Sequence, residues 1–243
     1  MLSMKIEKVE NLSTRERWRT LNKDINLVES VDSRYQNIAV TYANGQFSIF
    51  GNGQYIAAFP DDYRSASFAH LVASEHPNPK KVLLIGGGVG GFIREILKHP
   101  ITLLHYVALD PKLISVVRKH LPPMDKEALR DERVKIFYVD GRHFVKNCLD
   151  KYDIIVVNVP DPSTAMLNRF YTIDFFQEAE NILKKEGVLV TGVSSAPNYI
   201  YNLILWDIYS GDRGEASLLR VLRCAGLLWR LSGSHYTNPR TGD

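Results

Sequence analysis

The stretch Val82-Leu83-Leu84-Ile85-Gly86-Gly87-Gly88-Val89-Gly90-Gly91-Phe92-Ile93-Arg94-Glu95 restricts the fold more than any other part of this 243-residue chain. A short apolar run ends in glycines that match Gly-x-Gly-x-x-Gly at Gly86, Gly88 and Gly91, with Gly87 and Gly90 among them. A helical pattern follows at once. Glycine permits a sharp turn and, having no Cβ, lets a ligand approach the main chain. The spacing alone is a weak signal. Its position, after a strand and opening a helix, is the context that a nucleotide-binding loop requires.

The rest of the chain repeats that arrangement. Strand-like runs at 82–85, 103–109, 134–139, 154–157 and 188–193 alternate with helical patterns around 92–98, 112–120, 142–148 and 171–184. Such alternation predicts an α/β fold, a doubly wound, mostly parallel, Rossmann-like sheet covered on both faces. Upstream, β-rich runs at 25–31, 35–42, 46–50 and 54–59 are punctuated by Asn44-Gly45 and Asn52-Gly53. Asn-Gly supplies the two positive-φ residues of a type I′ turn, so these runs predict a small antiparallel meander. The expected divisions are a β annex at 1–60, a nucleoside-binding domain at 61–210 and a basic segment at 211–243.

Three later strand ends carry polar groups. Asp110 closes the run at 103–109, nineteen residues after Gly91, where a ribose-binding acid sits in folds of this kind. Asp140-Gly141 closes the run at 134–139 with a carboxylate able to accept from an adenine amino group. Asn158 and Asp161 follow the run at 154–157. Ligands of doubly wound sheets bind beyond the carboxyl ends of the strands, so these groups predict one nucleoside crevice. Each Asp is also a good helix N-cap.

In combination these residues resemble the spermidine synthase (polyamine aminopropyltransferase) family, a branch of the S-adenosylmethionine-type Rossmann transferases. The resemblance runs from about residue 33 to 199. It is carried by Ser33-Arg34-Tyr35-Gln36, the two hairpins, His70, the glycine loop with Arg94-Glu95, Asp140-Gly141, and Asp161-Pro162 followed by Phe170-Tyr171. The stretch 161–172 looks like a divergent bacterial branch. The resemblance implies that an amine attacks the carbon next to the sulfonium of decarboxylated S-adenosylmethionine, releasing methylthioadenosine while a carboxylate takes the amine's proton. It implies Gln36 and Asp161 as ligand contacts, each equally suited to a structural hydrogen bond. It places Tyr171 on the acceptor side, where a core role is the plainer reading.

The departures fall at the reacting end. Val89 stands where the family has an Asp, Ala108 where it has a ribose-binding Glu, Arg64-Ser65-Ala66 near its Tyr-His-Glu, and Asn158 at its catalytic Asp. An amide cannot accept a proton at neutral pH. Asp110, two residues beyond Ala108, is the nearest substitute for the missing Glu. The departures argue against ordinary spermidine synthesis and leave Asp161 and Asn158 at the reacting end, acting on an S-adenosyl-type nucleoside and a small acceptor such as a polyamine. The alternatives are an inactive nucleoside- or partner-binding module, or a methyltransferase on S-adenosylmethionine, which can run on proximity without a dedicated base. A dinucleotide oxidoreductase ranks third: the loop and Asp110 suit NAD, but Asp140-Gly141 goes unused.

Composition removes other classes. At 45% hydrophobic and 23% charged, with a net charge of +3, the chain is neither disordered nor basic enough to imply nucleic acid. Cys148 and Cys224 make no disulfide framework, and the seven histidines are scattered without metal-ligand spacing, so no metal is expected. No run approaches the ~20 apolar residues of a membrane span, and residues 1–8 lack the apolar core of a signal peptide. The expectation is a cytoplasmic globular protein, with a homodimer left open. Residues 216–231 read as a helix that brings Arg220, Arg223 and Arg230 together. Packing on the sheet is its plainer reading, and docking on an anionic membrane or a partner the other.

Overall fold

The computed structural model of the protein describes residues 26–160, 162–194 and 218–224, together with Glu16 and Trp18. Four antiparallel strands come first: β1 (Asn26–Asp32), β2 (Asn37–Ala43), β3 (Gln46–Gly51) and β4 (Gln54–Phe59), hydrogen-bonded in that order. Both expected turns are present. Asn44 and Gly45 have φ of 51° and 81°, and Asn52 and Gly53 have 50° and 78°, the paired left-handed residues that match the twist of a tight hairpin. Ile38, Val40, Ile49 and Phe59 turn one face of this sheet inward, into a core shared with the second sheet.

Helix α1 (Asp62–Ser74), its first turn capped by Asp61, leads to the parallel domain. There β5 (Lys81–Ile85), α2 (Phe92–Ile96), β6 (Leu103–Val107), α3 (Pro111–His120), α4 (Pro123–Ala128) and β7 (Val134–Phe137) form one half. The other half is α5 (Gly141–Asn147), β8 (Tyr152–Val157), α6 (Ala165–Asn168), α7 (Ile173–Glu180), β9 (Leu183–Ser194) and β10 (Leu218–Cys224). The sheet order is β10-β9-β8-β5-β6-β7, and every pairing is parallel. Counting strands within this domain, that is the 3-2-1-4-5-6 order of a doubly wound fold. Alternate residues supply the two faces. Val82, Leu84, Leu104, Ile154 and Val156 enter one core, and Leu83, Ile85, Val107, Ile155 and Val157 the other. Both faces are buried, which is why these strands read as unbroken apolar runs.

Three expectations change. The helix expected over 171–184 starts only at Ile173, capped by Thr172, and ends at Glu180. Leu183 already belongs to β9, where Glu186 at φ 62° marks an irregular register before Val188. Helices α4 and α6 had no periodic signal because six and four residues are too short to show one. Finally, residues 218–224 form a strand rather than part of a helix, pairing with Val188–Ser194 of β9 over seven positions. An open edge of parallel sheet offers a row of unpaired backbone groups, and a run rich in leucine and valine can satisfy them. The basic segment expected at 211–243 therefore contributes its described residues to the parallel sheet.

Candidate functional site

The strand order reverses between β5 and β8, and ligands of doubly wound sheets bind beyond the carboxyl ends of the strands at such a point. The glycine loop leaves β5 and Asn158 leaves β8. Asp110 follows β6, and Asp140 follows β7. Four segments that are distant in sequence thus leave the same end of one sheet.

The glycines serve the fold first. Gly86, Gly87 and Gly91 have φ of 73°, 59° and 94°, a region that side chains with a Cβ rarely enter. A Cβ on Gly87 would lie 2.1 Å from Asn158 Nδ2, and one on Gly88 would lie 2.5 Å from the Tyr106 ring. Tyr106 is buried beneath the loop, and that burial pushes its hydroxyl well above the usual phenol range. Gly90 is the roomy one, with Ala57 Cβ its nearest neighbour at 3.6 Å. Its carbonyl accepts from Ser65 Oγ. Asn158 donates to the Gly87 carbonyl at 3.4 Å, a long contact across the reversal point.

Asp110 is 5% exposed and is used on every side. Its Oδ1 accepts from the Lys112 and Leu113 amides at 3.0 and 3.3 Å, capping α3. Its Oδ2 accepts from Ser33 Oγ at 2.7 Å and Gln36 Nε2 at 3.2 Å. A carboxylate has about four lone-pair directions, and all have protein donors. Asp110, expected as a ribose-binding acid, thus braces the two sheets through these donors. Gln36, expected as a ligand contact, lies within that brace, with its Oε1 over Gly51.

Asp140 is more open. Its Oδ1 accepts from the His143 amide at 3.0 Å, capping α5, and its Oδ2 accepts from Arg169 Nη2. Gly141 gives room to Phe170, whose ring would lie 3.1 Å from an added Cβ. Tyr171, expected on the acceptor side, packs beside the second core and turns its hydroxyl to the Val159 and Pro160 carbonyls at 3.4 and 3.2 Å. It props the segment after β8. Asp161 lies outside the described residues.

The departures from the family pattern also have places. Val89 is 3% exposed and joins the core, so a side chain there faces inward. Ala108 is buried at the end of β6, and Ser65 holds the glycine loop. Sequence reasoning missed Ser33, Ser65, Tyr106 and Arg169 as site-forming residues. Ser33 opens the Ser33-Arg34-Tyr35-Gln36 motif and Arg169 lies in the stretch 161–172, yet nothing in their spacing points to Asp110 or Asp140. A cleft of about 260 Å³ is lined by Pro111, Ile114, Ser115, Arg118, Lys119 and Tyr138. Among the described residues, no group of three or more His, Cys, Asp or Glu could hold a metal ion, and no helix is long and apolar enough to cross a membrane.

Residues 62–204 match the family model described as the spermine/spermidine synthase domain. The chain is 40% identical over 114 residues to a polyamine aminopropyltransferase of Korarchaeum cryptofilum, covering 47% of this chain and 35% of that one. It is 32% identical over 176 residues to one of Clostridium tetani, covering 71% and 62%. Among solved structures it is similar to a spermidine synthase in complex with the transition state analogue AdoDATO, with a TM-score of 0.60, 28% identity, and coverage of 68% of this chain and 57% of that one. The Thermotoga maritima spermidine synthase gives 0.58 at 29% identity, covering 68% and 56%. The chain spans between about a third and two thirds of the length of these relatives.

Proposed function

This chain belongs to the spermine/spermidine synthase family, and on that premise we propose that it binds an S-adenosyl-type nucleoside at the strand ends and transfers an aminopropyl group to a small amine. The observation that carries this is the convergence of the glycine loop, Asp140-Gly141 and Asn158 at the reversal point of a 3-2-1-4-5-6 sheet. Decarboxylated S-adenosylmethionine is the donor and methylthioadenosine the leaving group. The new C–N bond forms as the C–S bond breaks, and the electron pair of that bond stays on sulfur. The amine sheds its proton to Asp161, because the amide of Asn158 cannot take one. Asp140 and the glycine-loop backbone hold the nucleoside. Gln36 and Asp110 brace its rim. Tyr171 steadies the segment on the acceptor side.

Support for aminopropyl transfer rather than methyl transfer or binding alone comes from the polyamine aminopropyltransferase and spermidine synthase relatives named above. Calorimetric titration with methylthioadenosine, S-adenosylmethionine, decarboxylated S-adenosylmethionine and NAD, followed by turnover with putrescine, tests the reading. Although the departures at the reacting end argue against ordinary spermidine synthesis, the polyamine aminopropyltransferase relatives support it, so binding of methylthioadenosine and the decarboxylated donor, with spermidine formed, is the expected result. Binding of NAD alone would overturn it, and adenosyl binding without aminopropyl transfer would reduce the protein to a nucleoside-binding module. Asn158→Asp should leave adenosyl binding intact.

A further inference from the structure

We propose that the cleft along α3 is a binding site for a small oxyanion, a carboxylate or a phosphate monoester, carried on an apolar ring and anchored by Arg118. The inference goes beyond the transferase reading and does not depend on it. Pro111, Ile114, Ser115 and Arg118 stand at helical positions i, i+3, i+4 and i+7, so they share one face of α3. Lys119 extends that face, and Tyr138, just past β7, completes the lining.

The lining divides along the helix. Pro111 and Ile114 give its first turns an apolar surface, and Arg118 and Lys119 give its last turn two cations. From Pro111 to Arg118 the axis rises about 10 Å. The half-exposed Tyr138 ring adds to the apolar part. At about 260 Å³ the cleft is smaller than the ~300–1,000 Å³ of pockets for drug-sized ligands, so its occupant is small.

Charge decides what that occupant is. Arg118, Lys119 and His120 close α3. Two of them share one acid of β1: Lys119 Nζ lies 2.6 Å from Glu29 Oε1, and His120 Nε2 lies 3.4 Å from Glu29 Oε2. Arg118 has no such counter-ion among the described residues, and its Nε is buried without an acceptor. A buried donor is costly unless an acceptor meets it. The edge of a guanidinium, Nε with one Nη, matches two oxygens of a carboxylate or a phosphate. Ser115 and Lys119 line the same cleft and offer a hydroxyl and a second positive charge to the same ligand. A cationic amine finds no acid among the lining residues.

Calorimetric titration of the full chain with phenyl phosphate, phenylacetate, inorganic phosphate and phenol, at constant ionic strength, tests this, with thermal melting to verify the fold of each variant. Phenyl phosphate or phenylacetate should bind once per chain, and the tighter of the two identifies the oxyanion. Phenol, which lacks the charge, and inorganic phosphate, which lacks the ring, should each bind at least about tenfold more weakly. Arg118→Met keeps the apolar stem and should weaken the better probe by at least about tenfold, the weight of one hydrogen bond to a charged group. Arg118→Lys keeps the charge without the fork and should fall between. Lys146→Gln, an equal change of net charge at an exposed position of α5, should leave binding within about twofold, as expected of a distant screened charge. Failure of both aromatic anions to bind the wild type at about 10 mM would overturn the site. So would unchanged binding in a folded Arg118→Met protein, or an equal loss in Lys146→Gln. Should Arg118→Met not fold, unchanged binding in Arg118→Lys overturns it equally. Displacement of the probe by methylthioadenosine would merge the cleft with the strand-end site and overturn it as a separate one.

Discussion

Ser33 Oγ donates to Asp110 Oδ2 at 2.7 Å across a separation of 77 residues. Ser33 lies in the connection between β1 and β2, and Asp110 ends β6 and caps α3. One carboxylate therefore fixes the antiparallel sheet against the rim of the parallel one, and Gln36 adds a second bond to the same oxygen.

Removing that hydroxyl should loosen the junction. Ser33→Ala is expected to lower stability by about 1–2 kcal/mol, the loss of a hydrogen bond to a charged, largely buried group. Asp110→Ala should lose more, roughly 2–4 kcal/mol, because the cap on α3 goes as well. Urea unfolding of both variants checks this; equal losses would mean that the cap contributes nothing beyond the junction, and no loss in Ser33→Ala that the junction contributes nothing.

The glycine loop gives a contrast between neighbours. Gly88→Ala forces a methyl to 2.5 Å from a buried ring, whereas the same change at Gly90 meets only Ala57 at 3.6 Å. The first should cost about 1–3 kcal/mol as overpacking, and the second under about 0.5 kcal/mol, the range of a substitution that disturbs nothing. Adding Tyr106→Leu should recover part of the Gly88→Ala loss. Thermal melts of the four proteins decide it.

Arg94 is a buried counter-ion for several acids. Its guanidinium reaches Glu95 at 2.9 Å, Asp125 at 3.0 Å and Asp62, and ties α1, α2 and α4 together. Its side chain is 12% exposed, and those of Glu95 and Asp125 only 4% and 6%. Burial pushes the Asp125 carboxyl above its usual range, with Arg94 opposing the rise. Arg94→Met should therefore cost about 3–5 kcal/mol, because it strands the buried Asp125 carboxyl, whereas Glu95 keeps Lys98 at 2.6 Å. A loss below ~1 kcal/mol in chemical denaturation would show the acids to be relieved by some other group.

Acid should reveal the Asp131–Arg133 pair. A hydrogen bond from Arg133 lowers the Asp131 carboxyl from the usual 3.8 to about 2, and Arg133 also holds the Leu97 and Ile101 carbonyls at 3.1 and 3.3 Å. Because the folded value lies below the unfolded one, the unfolded chain binds the extra proton between them. The stabilisation is present above pH ~4 and disappears as pH falls towards 2. Asp131→Asn should remove about 1–2 kcal/mol at neutral pH and flatten the acid side of the stability profile. A profile parallel to the wild type down to pH 2 would contradict this.

Most of the architecture was readable from local pattern. Both Asn-Gly turns, the five expected parallel strands and the loop after β5 follow from period, turn chemistry and strand-end residues, each set within a few positions. The readings failed where a neighbour in space decides. The helix expected past Glu180 gives way to β9, which takes Leu183 into register with Tyr152, and residues 218–224 are strand because β9 has an edge to pair.

The site divides the same way. From residue types alone, acids and glycines could be assigned to the carboxyl ends of the strands, because strand direction and alternation are local properties. Which acid still has a lone pair to offer was beyond sequence. Asp110 is filled by Ser33 and Gln36, and Asp140 is shared with Arg169, through contacts spanning 77, 74 and 29 residues. Hydrogen-bond capacity is finite, so the role of a carboxylate depends on every donor within about 3 Å, and only the folded chain brings those donors together.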